Sequence, residues 1–529
     1  MSRTLWLRDS QITRHRINVD ELQRALPPFV LDVSAGNNNI LTDILSDSRA
    51  GFKRLHLEAS NDSLLTLSGK VLALQSGTLT LDTISAELSQ YGEDAAFTIK
   101  MDNAPGTLDS YAHVRLDGFL MDNNVSLRLQ QHNIAGDKGY DIGARATLGR
   151  ELLQLRFVPT SPTINYKPWS VNADNYVSYC ITDKHLDANL HITGGDSSIA
   201  IFTEHRGEHH HDDDAGDDAD NDIHAIAQED LIVQLRKIHL ADMVALPPLS
   251  TPMSGDLSAD MRLNHHSGVL EGNGNVTLTD FYYGKERVGT IGADMTIATD
   301  ADGLLRAQAQ LSVDGVRTMT LAGALNDSTA TSPLALDFSM IHFPLTSVNP
   351  FLPPSLARLR GTLNGSLNIT GDSDNPIFDG WLQFDSTAVR AAIIATEYPV
   401  SDVKIPVERS KVRFDNFSIG GVNNHHLAIN GTVDISSMAS PLIDLTLTAD
   451  NMQICGTSRP SRGADIYGKG FISTNTRVRS NDKYMFVKAD VAIEPGTNIT
   501  YVMPRPSAPS PRSRQARWCA LSTLPTRRA

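Results

Sequence analysis

The side chains with the most obvious capacity for chemistry lie between Glu204 and Asp222, a run of acids and histidines containing His209-His210-His211-Asp212-Asp213-Asp214. Imidazole and carboxylate both ligate divalent metals. The run does not fit a calcium-binding loop: a turn glycine at Gly216 needs acids at positions held by Ala215 and His211. Tracts of this composition are far more often solvated loops, and no metal is assigned to it. Asp300 and Asp302 stand two apart, and paired carboxylates can cleave polysaccharide. Their neighbours Thr299, Ala301 and Gly303 read instead as a hairpin tip. His265-His266 and His425-His426 read as strand ends beside exposed turns. The G-x-S-x-G, H-E-x-x-H, G-K-[ST] and G-x-G-x-x-G motifs are absent. The expectation is a protein that is not an enzyme, with no catalytic residue, metal ligand or cofactor.

The elements that carry these residues alternate with a period of two. Leu363, Gly365, Leu367 and Ile369 alternate with Asn364, Ser366 and Asn368. Leu427, Ile429, Gly431, Val433 and Ile435 alternate with Ala428, Asn430, Thr432 and Asp434, and Ile443, Leu445 and Leu447 with Asp444, Thr446 and Thr448. The same pattern fits 257–263, 125–129 and 79–81. Such spacing gives each strand one apolar and one polar face. Turn-type clusters separate the runs, for example Gly371-Asp372-Ser373-Asp374-Asn375-Pro376. Helical patterns are short: Asp20 to Ala25, Leu41 to Ala50, and single turns at Leu240 to Leu246 and Ser355 to Leu359. Helices this few cannot cover the sheet, so its apolar faces must meet each other, curl on themselves or meet a ligand. Periodicity alone leans to a sandwich core.

The chain also repeats itself. Pro247-Pro248 matches Pro353-Pro354, Gly255-Asp256-Leu257 matches Gly361-Thr362-Leu363, and 274–278 matches 380–384. With a small slip, Leu321-Ala322-Gly323 matches Ile429-Asn430-Gly431, and Ser332-Pro333-Leu334 matches Ser440-Pro441-Leu442. The organisation expected is a β-rich region over 1–236 with short helices and the acidic loop at 204–222, then repeat units over 237–342 and 343–453. Units this long each contribute several strands to one continuous sheet. From about Arg505 alternation stops. Residues 505–529 hold six arginines and no acid, and are expected to be a disordered basic tail, which a shifted reading frame or a truncated gene model would explain.

Composition narrows the partners. The 529 residues carry a net charge of −15, which offers no basic face to a nucleic acid. Cys180, Cys455 and Cys519 are too few for a disulfide framework and contain no C-x-x-C pair. No run approaches the roughly 20 apolar residues that span a bilayer. The segment from Met1 to Asp20 has four arginines but no apolar core following them, so it is not a secretory signal.

Several phrases resemble the TamB family of the AsmA-like group. Phe343-Pro344-Leu345, Asn349-Pro350-Phe351-Leu352 and 359–367 are similar to the opening of its repeat, and Asn375-Pro376 with Phe378-Asp379-Gly380 to its continuation. Tyr467-Gly468-Lys469-Gly470-Phe471, Ala489-Asp490 and 495–504 resemble the start of its C-terminal domain, which is expected over 454–504. The resemblance covers most of 100–504. It implies an all-β, elongated sheet curled into a groove, with few short helices. It also implies a periplasmic protein held to the inner membrane by an N-terminal anchor, which this sequence does not show. The implied role is moving phospholipid toward the outer membrane or assisting outer-membrane protein assembly beside a barrel partner of the TamA/BamA type.

On that reading the groove would be lined by Leu363, Leu367, Ile369, Leu382, Phe384, Leu427, Ile429, Val433, Ile443, Leu445 and Leu447, which would meet phospholipid acyl chains. Two rivals remain: a surface adhesin or structural β-solenoid with a closed, dry strip, and a β-helical polysaccharide enzyme.

Overall fold

The structure is a computed structural model. It describes residues 18–37, 50–206, 228–243 and 252–501, apart from 77–78, 107–108, 122, 150–151, 183–184, 267–268, 326–332, 353–356, 373–374, 392–393, 395, 438–439, 458–465 and 482–483. The 505–529 tail, most of the His/acid run, the Pro-Pro pairs and most of the helix expected over 41–50 lie outside the described residues.

Every described strand belongs to one antiparallel sheet. With few exceptions each strand pairs with the next along the chain, from Val30–Gly36 at one edge to Met485–Ile493 at the other. Those two end strands do not pair with each other, so the sheet is an open ribbon and not a barrel. Among the described residues there is no second sheet, which overturns the sandwich that periodicity favoured. Period-two patterning says which residues share a face; it does not say whether that face meets another sheet or curls on itself.

Short helices decorate the ribbon. Val19–Ala25 starts where the Asn18 side chain accepts a hydrogen bond from the Glu21 N–H at 2.8 Å, and Asp20 and Glu21 suit the positive end of its dipole. Leu240–Met243 is a single turn. The turn expected over 355–359 is corrected: Ala357 to Leu359 already belong to the strand Ala357–Gly371. Likewise Ala50 is in a strand, not a helix. In both places pairing with a neighbouring strand overrides a weak local preference.

Two consecutive blocks share one order of strands. The first runs Met253–His266, Val269–Tyr283, Glu286–Thr299, Leu305–Val313, Val316–Ala324, Leu334–Pro344. The second runs Ala357–Gly371, Pro376–Ala391, a strand broken into Glu397–Pro399 and Ile405–Glu408, then Lys411–Gly420, His426–Asp434, Leu442–Thr457. Pairing continues from one block to the next through Leu334–Pro344 and Ala357–Gly371.

A β-bulge marks each passage between blocks. The ladder slips between Leu235 and Ile238, between Met340 and Phe343, and between Ala449 and Met452. At each slip one residue has positive φ: Lys237 at 48°, His342 at 50°, Asn451 at 46°. Its N–H would lose its ladder partner, and a side chain on the following strand accepts it instead. Lys237 donates to Ser258 Oγ at 3.1 Å, His342 to Asn364 Oδ1 at 2.8 Å, and Asn451 to Ser473 Oγ at 3.0 Å. Bulges bend a strand and add right-handed twist, so three capped bulges on successive turns curl the ribbon the same way each time.

Gly323 and Gly431 sit at matching places with φ of 147° and 126°. A methyl on Gly431 would strike the Asp444 carbonyl oxygen of the next strand. Gly431→Ala should therefore cost about 1–3 kcal/mol in denaturant unfolding. Gly36→Ala, in open space, should be close to neutral; equal effects of the two changes would show that the close approach at Gly431 is not a constraint.

Candidate functional site

Register makes the site. Because directly opposite residues in an antiparallel pair point to the same face, alternation on each strand can join into a row running across strands. Here it does. From the N-terminal edge, Val33 faces Leu57, then Gly69, Ala86, Ile99, Leu116, Leu129 and Ile142 in turn. Further on, Leu190 faces Ile201, then Val233, Met261, Gly274, Met295 and Ala309. The same row continues through Leu321, Phe338, Leu367, Gly380 and Val407 to Val412, Val433 and Ile443. No polar side chain interrupts either stretch.

The opposite face is polar and ion-paired. Arg236 holds Asp260 in a fork at 2.8 and 2.9 Å, Asn275 donates to Asp294 at 2.6 Å, and Asn368 donates to Asp337 at 2.9 Å. Such solvated pairs fix register and keep the ribbon soluble more than they stabilise it. At the first of the capped bulges His239 lies between Asp196, at 2.9 Å from Nε2, and Asp256, at 2.6 Å from Nδ1, while Lys237 also pairs with Asp196. Hydrogen bonds to Asp196 and then Asp256 raise the imidazole pKa above its usual value.

The apolar row is not uniform in depth. In the first block it opens into a hollow of about 410 Å³ whose walls include Leu231, Val233, Met261, Leu263, Met295, Ile297, Ala307 and Ala309. Met295 and Leu263 remain 39% and 40% exposed there. In the second block the same face is packed shut: Ile405 and Val407 are 4% and 2% exposed, and with Val412 and Phe417 form a dry cluster.

Register explains the difference. Ala307 faces Gly323 and Ala309 faces Leu321 in the first block; at the matching places Phe414 faces Gly431 and Phe417 faces Ile429. Gly272, opposite Leu263, has Phe378, opposite Ile369, as its counterpart. Glycine and alanine leave space that phenylalanine fills, and Phe384, Phe414 and Phe417 meet with ring centroids 5.6–5.9 Å apart.

The expected lining residues divide accordingly. All eleven are half-buried on the apolar face. Leu367, Leu382, Phe384, Ile429 and Val433 pack against the dry cluster. Leu363, Ile369, Leu427, Ile443, Leu445 and Leu447 lie in the same cross-strand rows outside it. The open hollow itself lies upstream; alternation at 257–263 names one of its strands, and the recurrence of glycine and alanine at Gly272, Gly274, Ala307 and Ala309 on the others was the available clue to its depth. Of the other residues considered, Asp300 closes a turn by accepting from the N–H groups of Asp302 and Leu304, both at 3.0 Å. His425 also lies in a turn, with Nδ1 2.8 Å from the Asp450 carbonyl oxygen. Among the described residues no group of three or more histidines, cysteines and acids could hold a metal.

Two measurements check this division. Phe417→Ala should destabilise the fold by about 3–5 kcal/mol, and Leu367→Asp should destabilise it further by placing a charge in dry packing. Met295→Asp, in the open hollow, should leave the unfolding midpoint within about 0.5 kcal/mol of the parent. The His239 contact should be fully present below about pH 6.5, the unfolded value, and fade as pH rises through the raised folded value. His239→Gln should flatten that slope in stability-versus-pH titrations; an unchanged slope would remove His239 from the account.

Residues 415–518 match the family model described as the TamB C-terminal domain. The match begins inside the strand Lys411–Gly420 and takes in the last described strands of the ribbon. It also runs past Pro504, where the sequence reading had ended the resemblance. Neither a curated protein nor a solved structure matches the chain. The described part of that match lies at the end of an open, curled, all-β ribbon, and over residues 415–518 the chain is similar to the TamB family.

Proposed function

We propose that the chain is a scaffold and conduit of the bacterial envelope that carries phospholipid acyl chains along its apolar row. The carrying observation is the register itself: one face stays apolar from strand to strand while the sheet's ends remain unjoined. An acyl chain needs no polar site. Each methylene removed from water gains about 0.8 kcal/mol, so a chain is held along the open parts of such a surface with nearly equal affinity. Strands about 4.8 Å apart then offer a series of small steps and no deep trap. The match to the TamB C-terminal domain supports work in the envelope; the periplasm, an inner-membrane anchor and a barrel partner of the TamA/BamA type belong to the proposal.

A second reading has a specific observation behind it. The dry cluster around Val407 is the closed core expected of a structural solenoid. It occupies one block and leaves the hollow around Met295 open, which favours the conduit. An enzyme on a β-helix would need convergent carboxylates, and Asp300 is engaged in its own turn and with Arg306 at 2.6 Å.

The test places photo-crosslinking residues on alternate positions of one strand. Adducts with phospholipid are expected at Met295 and Leu445 and not at Thr296 and Thr446. Absence of adducts at Met295 and Leu445 in folded, expressed protein would sink the conduit and leave the solenoid.

A further inference from the structure

We infer that the segment Val400–Glu408 is a constriction across the groove, closed in this structure, which an acyl chain must open to pass between the first block and the C-terminal strands. The inference rests on the conduit reading and adds to it a place where movement is controlled.

The closure is made by position. The row that is open at Met295 reaches Gly380 and next meets Val407, which faces Val412 across the following strand. Val407 and Ile405 are among the most buried apolar side chains described, walled by Leu367, Phe384 and Phe417. An acyl chain cannot lie in that stretch without displacing them.

The segment that closes the row is also weakly held. Its counterpart in the first block, Glu286–Thr299, is a continuous strand paired at eleven positions to Val269–Tyr283. Here pairing to Pro376–Ala391 is reduced to three positions at Glu397–Pro399 and three at Ile405–Val407, with 400–404 outside any strand. Pro399 and Pro406 have no N–H to give. At its start the Val400 and Ser401 N–H groups donate to the Thr387 and Ser418 carbonyls, both at 2.9 Å; beyond them the Gln383 side chain donates to the Asp402 carbonyl at 2.7 Å, and Lys404 Nζ sits 4.0 Å over the Trp381 ring. A stretch with few ladder bonds opens at lower free energy than the strands beside it, although Ile405 and Val407 are among the driest side chains of the block. That combination, a hydrophobic plug on a poorly bonded backbone, suits an element that closes when empty and yields to apolar cargo.

Trp381 and Pro406 are directly opposite on the face away from the plug. The pair Trp381→Cys/Pro406→Cys can thus be oxidised to pin the segment shut from outside, opposite residues in an antiparallel pair being within disulfide reach. The full chain would be mixed with phosphatidylethanolamine/phosphatidylglycerol vesicles containing a phospholipid with a photoreactive acyl chain, and adducts mapped by mass spectrometry. Oxidation is expected to lower labelling near Leu445 at least tenfold while labelling near Met295 stays unchanged, and reduction to restore it. Labelling near Leu445 that is indifferent to oxidation overturns the constriction and spares the conduit. Absence of label at both places overturns the conduit. Hydrogen exchange on the unaltered chain decides the opening independently of lipid: the amides of Ile405 and Val407 should exchange at least tenfold faster than those of Trp381 and Gln383, which pair with Ser366 and Asn364 on the other side of the strand. Equal protection would mean that the segment moves only when the sheet unfolds, and the inference fails.

Discussion

The whole ribbon depends on strand register. A side chain in a strand points to one face or the other, so a slip of a single residue between neighbours would send a complete set of leucines and valines into water and a set of aspartates and arginines into the groove. The apolar row survives across the described sheet because the pairings set apolar residues opposite apolar residues on the same face, and because the places where the ladder must slip do so in a controlled way. At the capped bulges one extra residue is absorbed, its N–H is taken by Ser258, Asn364 or Ser473, and alternation resumes in phase. The bulges supply curl, the caps keep that curl from leaving an unpaired donor, and the pleat does the rest.

Within that frame, side-chain size decides what the groove can do. Burial of apolar surface stabilises both blocks, yet they use it differently. The second closes upon itself through Phe378, Phe414 and Phe417 and is a small core in the ordinary sense. The first, with Gly272, Ala307 and Ala309 at those places, lacks the volume to fill its own concavity and leaves Met295 and Leu263 half in contact with solvent. An exposed apolar hollow costs stability unless something occupies it. The two blocks share a backbone plan, and three changes of side-chain volume separate a packed core from an open trough.

Much of this was readable in the residues. Alternation at Leu427–Ile435 and Ile443–Leu447 named strands that the structure contains, with their apolar faces correctly oriented together. The match of Leu321-Ala322-Gly323 to Ile429-Asn430-Gly431 reflects a shared backbone shape, since both glycines have positive φ. Depth was not readable. Leu367 and Leu445 have the same alternating neighbours, and only tertiary curl puts the first against a dry cluster and leaves the second outside it. The open hollow escaped notice for a related reason: glycine and alanine are weak signals in a hydrophobic pattern, although absence of bulk is what makes a cavity. The segment at Val400–Glu408 was equally hidden, because a strand broken by two prolines looks like a loop until the partners on either side are known.

The near-exclusive pairing of chain neighbours has a consequence for how such a molecule comes into being. Large all-β proteins are usually slow to fold because distant segments must find one another, and closing long loops is entropically expensive. Here the turns that join paired strands are short: Val313 is paired with Val316, Tyr283 with Glu286, and Tyr91 with Asp94. Each hairpin can form by itself and template the strand after it, so the ribbon grows by local zippering in the manner of a repeat protein. A chain emerging from a narrow exit could lay down its groove strand by strand, without waiting for its far end.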